Sequence, residues 1–216
     1  MKYAVCCSGS LLYDIGRGEI LNRSCIEPET LARMLALSAP EDPLPMLMTP
    51  FFAMYRSDVQ ARIGEYDLEY YRRLFAAIGR YSDDLAGWAL SGETGVNKVN
   101  LYHHTAESRE RTRALLRGLP VEMVNSDHLG LECTAKGVDK AWGLRKLCGL
   151  LGVDMAGVIA VGDSGNDLPA MRIAGLGIAM GNAEPGVKAA AGAVVADCDH
   201  DGCAEAVRKY LLGITG

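Results

Sequence analysis

Val158-Ile159-Ala160-Val161-Gly162-Asp163-Ser164-Gly165-Asn166-Asp167 is an apolar run that ends in two carboxylates and an amide set around two glycines. Four apolar residues in a row read as a buried strand, and the polar end reads as the turn into a helix over Asn166–Ala174. Ligands of open α/β sheets bind outside the carboxyl ends of the strands, which is where these side chains would sit. Asp163 and Asp167 offer the hard oxygens that Mg²⁺ prefers, and Asn166 with the helix start can donate to a phosphate. A plain turn needs one capping residue, not three.

Around this stretch helices and short apolar strands alternate, as in βαβ units on a parallel sheet. Val138–Leu151 reads as a helix with Leu144, Leu147, Cys148 and Leu151 on one face and Gly152 as its stop. Gly177–Met180 and Val194–Ala196 read as strands, and Pro185–Ala191 and Ala204–Leu212 as helices. Lys140 stands at the start of the first of these helices, where the macrodipole favours anions, so a nearby phosphate or carboxylate would account for it.

Upstream the texture is α+β. Tyr3–Cys7 reads as a strand, and Leu11–Tyr13 and Glu19–Leu21 as a hairpin about the turn Asp14–Gly18. Pro28 opens a helix carrying Leu31, Met34, Leu35 and Ser38 on one face. Met46–Tyr55 reads as one strand with Pro50 at an edge or bulge. Asp67 is placed to cap a helix through Leu68, Tyr71, Phe75 and Ile78. Lys98–Tyr102, Val121–Val124 and Leu129–Cys133 read as strands, and Ala106–Arg117 as a charged helix. Two units of different architecture follow, divided as 1–14, a first strand and hairpin; 15–128, an inserted α+β unit; and 129–216, the parallel-sheet core.

Composition narrows the function classes. The 216 residues are 49% hydrophobic and 23% charged with a net charge of −5, the balance of a folded globular chain. The negative balance and the lack of a basic cluster argue against a nucleic-acid partner. The longest apolar runs, Val158–Gly162 and Ala189–Ala196, fall short of the roughly 20 residues a membrane helix needs, so no membrane role is expected. The amino-terminal run lacks a signal-peptide pattern, and seven scattered cysteines with no C-x-x-C pair fit reduced thiols; a cytoplasmic location is expected.

Four clusters have a blander reading. Cys198, His200 and Cys203 lack a fourth zinc ligand. The Asp197–Gly202 run starts like a calcium loop but has Arg208 where the bidentate glutamate belongs, and reads as a solvated loop. His103 and His104 fit a wet surface, while Met46, Met48, Met54, Phe51 and Phe52 fit a core.

The combination Gly137–Lys140, Gly162–Asp167 and Gly177–Ala183, continued by Glu184–Lys188 and Asp201-Gly202, resembles the haloacid dehalogenase superfamily of phosphatases. In particular it resembles the Cof-type subgroup, which carries an inserted type IIB α+β cap. The resemblance covers residues 129–216, and Ser8–Asp14 with Gly18–Leu21 resembles the hairpin by which such proteins enter the cap. It implies a Rossmann-like parallel-sheet core, partial here, with an antiparallel sheet in the cap. It also implies Mg²⁺ as cofactor held by Asp163 and Asp167, Asn166 as a phosphate contact, Lys140 as catalytic and substrate-binding cation, and a small phosphorylated metabolite such as a sugar phosphate as partner.

The family's aspartate nucleophile, in an Asp-x-Asp-Gly-Thr run, has no counterpart in this chain. Either Cys6–Asp14 is the cap-entry hairpin and the segment bearing the nucleophile is missing, or Cys6–Leu12 is a decayed nucleophile loop with Cys6 and Ser8 in place of the two acids. Both readings imply weak or absent turnover, because covalent catalysis cannot do without its nucleophile. They leave open a non-catalytic phosphometabolite-binding or partner-dependent protein. Tyr3–Cys7 is expected to slide into the vacated place beside Val158–Val161.

Overall fold

The computed structural model describes residues 2–126 and 129–214. Strands β1 (Tyr3–Cys6), β2 (Leu11–Asp14) and β3 (Glu19–Arg23) open the chain, followed by helix α1 (Pro28–Ser38). Then come β4 (Leu44–Met48), β5 (Ala53–Arg56), α2 (Val59–Arg62), α3 (Arg72–Ile78), β6 (Gly79–Ser82), α4 (Leu85–Ser91), β7 (Lys98–Tyr102), α5 (Ala106–Leu116), β8 (Val121–Asn125) and β9 (Gly130–Ala135). The last part runs α6 (Lys140–Leu151), β10 (Ile159–Gly162), α7 (Leu168–Ile173), β11 (Leu176–Ala179), α8 (Pro185–Ala190), β12 (Ala193–Val194) and α9 (Gly202–Ala206).

These strands make three sheets. β10-β11-β12 is parallel, β1-β2-β3 is antiparallel, and β6-β5-β4-β7-β9-β8 is six-stranded and antiparallel except for the parallel β5–β6 pair. The fold is therefore mixed α/β, with a parallel core sheet and antiparallel sheets beside it. Residues 130–135, assigned above to the core segment, form the β9 strand of the six-stranded sheet between β7 and β8. The boundary after residue 128 falls at residues 127 and 128, which lie outside the described ones.

Alternation along the six strands explains how that sheet buries both faces. Leu47, Val99, Leu101, Leu131 and Cys133 point to one side, where Leu31, Met34, Leu85 and Leu116 of α1, α4 and α5 cover them. Met46, Tyr55 and Tyr102 point to the other, against Val59, Ile63, Tyr66 and Phe75. The parallel core is smaller and built on Met171, Ile178, Ala179, Val187, Val195 and Ala206.

Several local expectations are corrected. Met46–Tyr55 is two strands, not one, because Pro50 sits in the turn between them, where Thr49 Oγ1 accepts from the Phe51 and Phe52 amides at 3.2 and 3.0 Å. Asp67 caps no helix; it adopts a left-handed conformation (φ 56°) that ends the Ile63–Tyr66 turn, and α3 starts only at Arg72. β6 and α4 were not anticipated. Met46 and Met54 are buried, but Phe51 at the turn tip is 75% exposed. His103 is buried, not on a wet surface: its Nδ1 lies 3.2 Å from the Leu129 carbonyl and its Nε2 2.8 Å from Thr112 Oγ1. His104 is part-exposed and stacks on Tyr66 at 4.2 Å.

The strand slide does not occur. β1 pairs only with β2 among the described residues, in the register Tyr3↔Asp14 to Cys6↔Leu11, and β10 pairs only with β11. The reason lies in the turn after β1. Gly9 takes φ +102° and presses so closely on the first turn of α6 that a Cβ there would lie 1.9 Å from the Asp139 carbonyl oxygen. Gly143 on the same helix leaves equal room, its own Cβ position being 2.6 Å from the Gly9 carbonyl oxygen and 2.7 Å from Val5 Cγ1. This seat fixes β1 against α6 and holds it off β10.

Two stability predictions follow from these contacts. Gly9→Ala should destabilise the fold by about 3 kcal/mol or more, since left-handed strain and a backbone collision combine. Gly149→Ala, on the exposed side of α6 with open space around it, should instead stabilise by about 0.5–1 kcal/mol; urea denaturation of both variants measures the contrast. Burial holds the His103 imidazole below its usual range, so the folded state resists a proton that the unfolded chain accepts. Stability from this residue is present above about pH 6.5 and is lost as pH falls below it, and His103→Gln should flatten that acid-side loss in denaturation midpoints taken from about pH 7 to 5.

Candidate active site

The loop from Gly162 to Asp167 folds back on its own last carboxylate. Asp167 Oδ2 accepts from the backbone amides of Asp163 (3.1 Å) and Ser164 (3.2 Å). The turn is tight enough that a Cβ on Gly162 would lie 2.3 Å from that of Asp167, which accounts for the glycine at the strand end. The other oxygen, Oδ1, meets Lys140 Nζ at 2.5 Å. Lys140 also donates to Asn166 Oδ1 at 2.8 Å, and Ser164 Oγ donates to the same oxygen at 2.8 Å. Both of these donors use the amide oxygen, so the Asn166 Nδ2 is turned to donate elsewhere. Lys140 has three N–H bonds and gives two to these partners, with 32% of its side chain exposed.

The helix start at Lys140 has a cap of its own: Asp139 accepts from the Trp142 amide at 2.7 Å. That cap supplies the negative charge a helix start prefers, and Lys140 reaches away from it to Asp167. α7 begins at Leu168, two residues later than the sequence implied, because Ser164–Asp167 is consumed in the turn. Asp163 lies at the exposed end of β10, with Oδ2 accepting from Asn182 Nδ2 at 3.0 Å, and Asn182 in turn accepts from the Cys198 amide at 3.0 Å. Lys140, Asn166 and Asp167 thus come together directly, and Asp163 joins them through its backbone.

A cleft of about 230 Å³ lies between this cluster and the six-stranded sheet, lined by Lys140, Asn166, Gly165, Ser8, Glu132 and Thr134 among others. A second, of about 240 Å³, runs from Lys140 and Asp167 along β10 to Val5 and Ser8. A larger cleft of about 300 Å³ near Leu35 and Asp84 holds none of these residues.

Sequence reasoning missed the far wall. Glu132 Oε2 pairs with Lys98 Nζ at 2.8 Å, and Ser8 donates its hydroxyl to Glu132 Oε1. Ser8 has φ 55°, and Lys98 Nζ is 3.5 Å from its Oγ. The signal was a single acid inside the apolar strand Gly130-Leu131-Glu132-Cys133, opposite Asn100 and diagonal to Lys98. Both partners are nearly enclosed, with 4% and 12% of their side chains exposed. Cys7, the neighbour of Cys6, is unsuited as a nucleophile, because burial pushes its thiol up to about 11.

Among the described residues no group of three or more His, Cys, Asp and Glu is arranged to hold a metal. Two carboxylates nevertheless fit the way Mg²⁺ is commonly bound, by one or two protein oxygens, water and substrate phosphate. The free oxygen of Asp163 and the remaining lone pairs of Asp167 meet that minimum.

The family model for haloacid dehalogenase-like hydrolases matches residues 1–207, and the chain belongs to that family. It is 40% identical over 98 residues to the 5-amino-6-(5-phospho-D-ribitylamino)uracil phosphatase YcsE of Bacillus subtilis, a stretch covering 45% of this chain and 39% of that protein. It is 43% identical over 77 residues to the phosphoglycolate phosphatase of Methanopyrus kandleri, covering 36% and 33%. The matched stretch therefore spans well under half of these curated relatives. A solved haloacid dehalogenase-like hydrolase from B. subtilis has a TM-score of 0.84 at 19% identity, covering 97% of this chain and 79% of its own. The subclass IIB sugar phosphatase BT4131 has a TM-score of 0.80 at 20% identity, covering 98% and 76%, so the fold is shared.

The Lys98–Glu132 pair predicts a large penalty for breaking it. Lys98→Met should leave the Glu132 carboxylate enclosed without its counter-ion and cost about 3 kcal/mol, measured by chemical denaturation. The double change Lys98→Met, Glu132→Leu should recover most of that loss.

Proposed function

We propose that this chain carries the phosphate- and metal-binding half of a Mg²⁺-dependent phosphohydrolase site for small phosphorylated metabolites such as sugar phosphates, with turnover impaired on the chain alone. The observation that carries the reading is the Lys140–Asn166–Asp167–Asp163 cluster, gathered at the carboxyl end of β10 beside a cleft. Its location is where open α/β sheets bind ligands. Relatives named as phosphatases of phosphorylated small molecules support the substrate class.

In this reading Lys140 places positive charge against the transferring phosphoryl group, where it is worth most in a partly dry cleft. Asp167 holds that ammonium in place, and Asn166 Nδ2 donates to a phosphate oxygen. Asp163 and Asp167 would hold Mg²⁺, which would supply neutralisation of phosphate charge. The acid on the far wall, Glu132, is tied to Lys98 and Ser8 and is poorly placed to attack phosphorus. That engagement favours a second reading, phosphometabolite binding without hydrolysis. The net charge of −5 opposes a nucleic-acid backbone, and among the described residues no helix is long and apolar enough to cross a membrane.

The test is paired binding and turnover. Calorimetry with glucose 6-phosphate and Mg²⁺ should show binding that Lys140→Met weakens about 10-fold or more, while phosphate release from a sugar-phosphate panel stays at the level of Asp163→Ala. Release abolished by Asp163→Ala would mean a complete site and overturn the claim of impairment. Absence of phosphate binding in the unaltered chain would overturn the site itself.

A further inference from the structure

The two carboxylates of the site are held in opposite ways. Asp167 gives both oxygens to donors, one of them the ammonium of Lys140, so much of its charge is balanced before any ligand arrives. The side-chain partner of Asp163 is instead neutral: the Asn182 amide donates to its Oδ2 at 3.0 Å. An amide orients a carboxylate without cancelling its charge, which leaves Oδ1 turned away and still negative. The same turn after β11 grips the backbone of Asp163, because the Glu184 amide donates to the Asp163 carbonyl at 3.0 Å. Side chain and backbone of this one residue are therefore both fixed from residues 182–184.

Asn182 is itself locked. Its Oδ1 accepts from the Cys198 amide at 3.0 Å. A backbone N–H can bond to the oxygen of a side-chain amide and not to its nitrogen, so this contact points Nδ2 at Asp163 and opposes the flipped orientation. The turn that carries Cys198 is closed by its own bonds. Asp197 Oδ1 accepts from the Asp199 amide at 3.0 Å and lies 2.5 Å from His200 Nδ1, and the Asp197 carbonyl accepts from the His200 and Gly202 amides at 3.2 and 3.1 Å. It is also pressed against the turn of Asn182: the Gly181 amide donates to the Ala196 carbonyl at 3.0 Å, and a Cβ on Gly181 would lie 2.7 Å from the Asp197 nitrogen.

We infer that Asn182 is a positioning residue for the divalent cation: it sets Asp163 to present Oδ1 to the ion, and the Asp197–His200 turn sets Asn182 through the Cys198 amide. The inference rests on the reading of Asp163 as a metal ligand and adds a relay behind it, none of whose members need touch the ion or the phosphate. It also divides the site by charge, with the cation drawn to the unbalanced Asp163 and the anion to Lys140. Groups that orient a metal ligand in this way are commonly worth about 10- to 100-fold in affinity.

The experiment uses the whole chain with Mn²⁺ as the metal probe, its free fraction read by electron paramagnetic resonance, and inorganic phosphate without metal, read by calorimetry. Asn182→Ala should weaken Mn²⁺ binding about 10-fold, and Asn182→Gln, which keeps donor and acceptor, should lose about 3-fold or less. Asp197→Ala, which unties the turn, should weaken Mn²⁺ by about 3-fold or more. Phosphate affinity without metal should stay within about 2-fold in all three variants, because Lys140 and Asn166 make no bond to this relay, whereas general loosening at the end of β10 would lower both affinities. The variants cut the relay at different points, so misfolding of one leaves the others to decide. Unchanged Mn²⁺ affinity in Asn182→Ala or Asp197→Ala, equal losses in the Ala and Gln variants, or a parallel loss of phosphate affinity would overturn the inference while leaving Asp163 a ligand. Mn²⁺ binding that is absent from the unaltered chain, or indifferent to Asp163→Ala, would overturn the metal reading and the inference with it.

Discussion

The contact between Lys140 and Asp167 joins the start of α6 to the loop after β10, with the Lys140–Asn166 bond beside it. One oxygen of Asp167 receives the ammonium from the first turn of α6, and the other receives two backbone amides from the loop after β10. A single carboxylate thereby sets the loop's shape, the position of the cation and, through the shared oxygen of Asn166, the direction of an amide donor. Charge-assisted hydrogen bonds of this kind are short and directional, which suits them to holding a site in one arrangement. The glycine at position 162 belongs to the same constraint, because any side chain there would occupy the place of Asp167.

A second joint lies on the other side of α6. Gly9 and Gly143 bring the turn after β1 into backbone contact with the helix that carries Lys140, and Ser8 in that turn reaches Glu132 of the six-stranded sheet. Three layers of the molecule meet within a few residues: the β1–β3 sheet, the helix of the cation and the sheet of the inserted unit. Asn97 strengthens this joint by donating to the carbonyls of Ser24 and Ser10 at 2.8 and 3.3 Å.

The core was largely readable from the sequence, and the reasons are local. The strand β10, the turn at Gly162–Asp167 and the helices that follow depend on apolar runs, capping residues and glycines close in the chain. The same holds for Lys140, whose oddity at a helix start is visible without its partner. What depended on distant pairing was not readable. His103 is buried because β9 and α5 close over it, and Pro50 divides a strand because β4 and β5 pair with each other. Glu132 and Lys98 are 34 residues apart and become one wall of a cleft only through the β7–β9 register. The position of β1 was misjudged because its partner was sought by sheet logic, whereas the contact of Gly9, in the turn after it, with Gly143 on α6 decides it.

The main cleft has a charge balance that bears on what it can admit. Its lining includes three carboxylates, Glu122, Glu132 and Asp139, against the single ammonium of Lys140. Glu132 and Glu122 are paired with Lys98 and Lys136 at 2.8 and 3.1 Å, so most of the negative charge along the lining is already balanced, while Lys140 attracts an anion. For the proposed reaction the cleft then bears on the remainder of the molecule, beyond the phosphate. In that reading the hydroxyl, carboxylate and amide groups of Ser8, Thr134, Glu122 and Asn166 along the lining suit a neutral, hydroxyl-rich body on the metabolite.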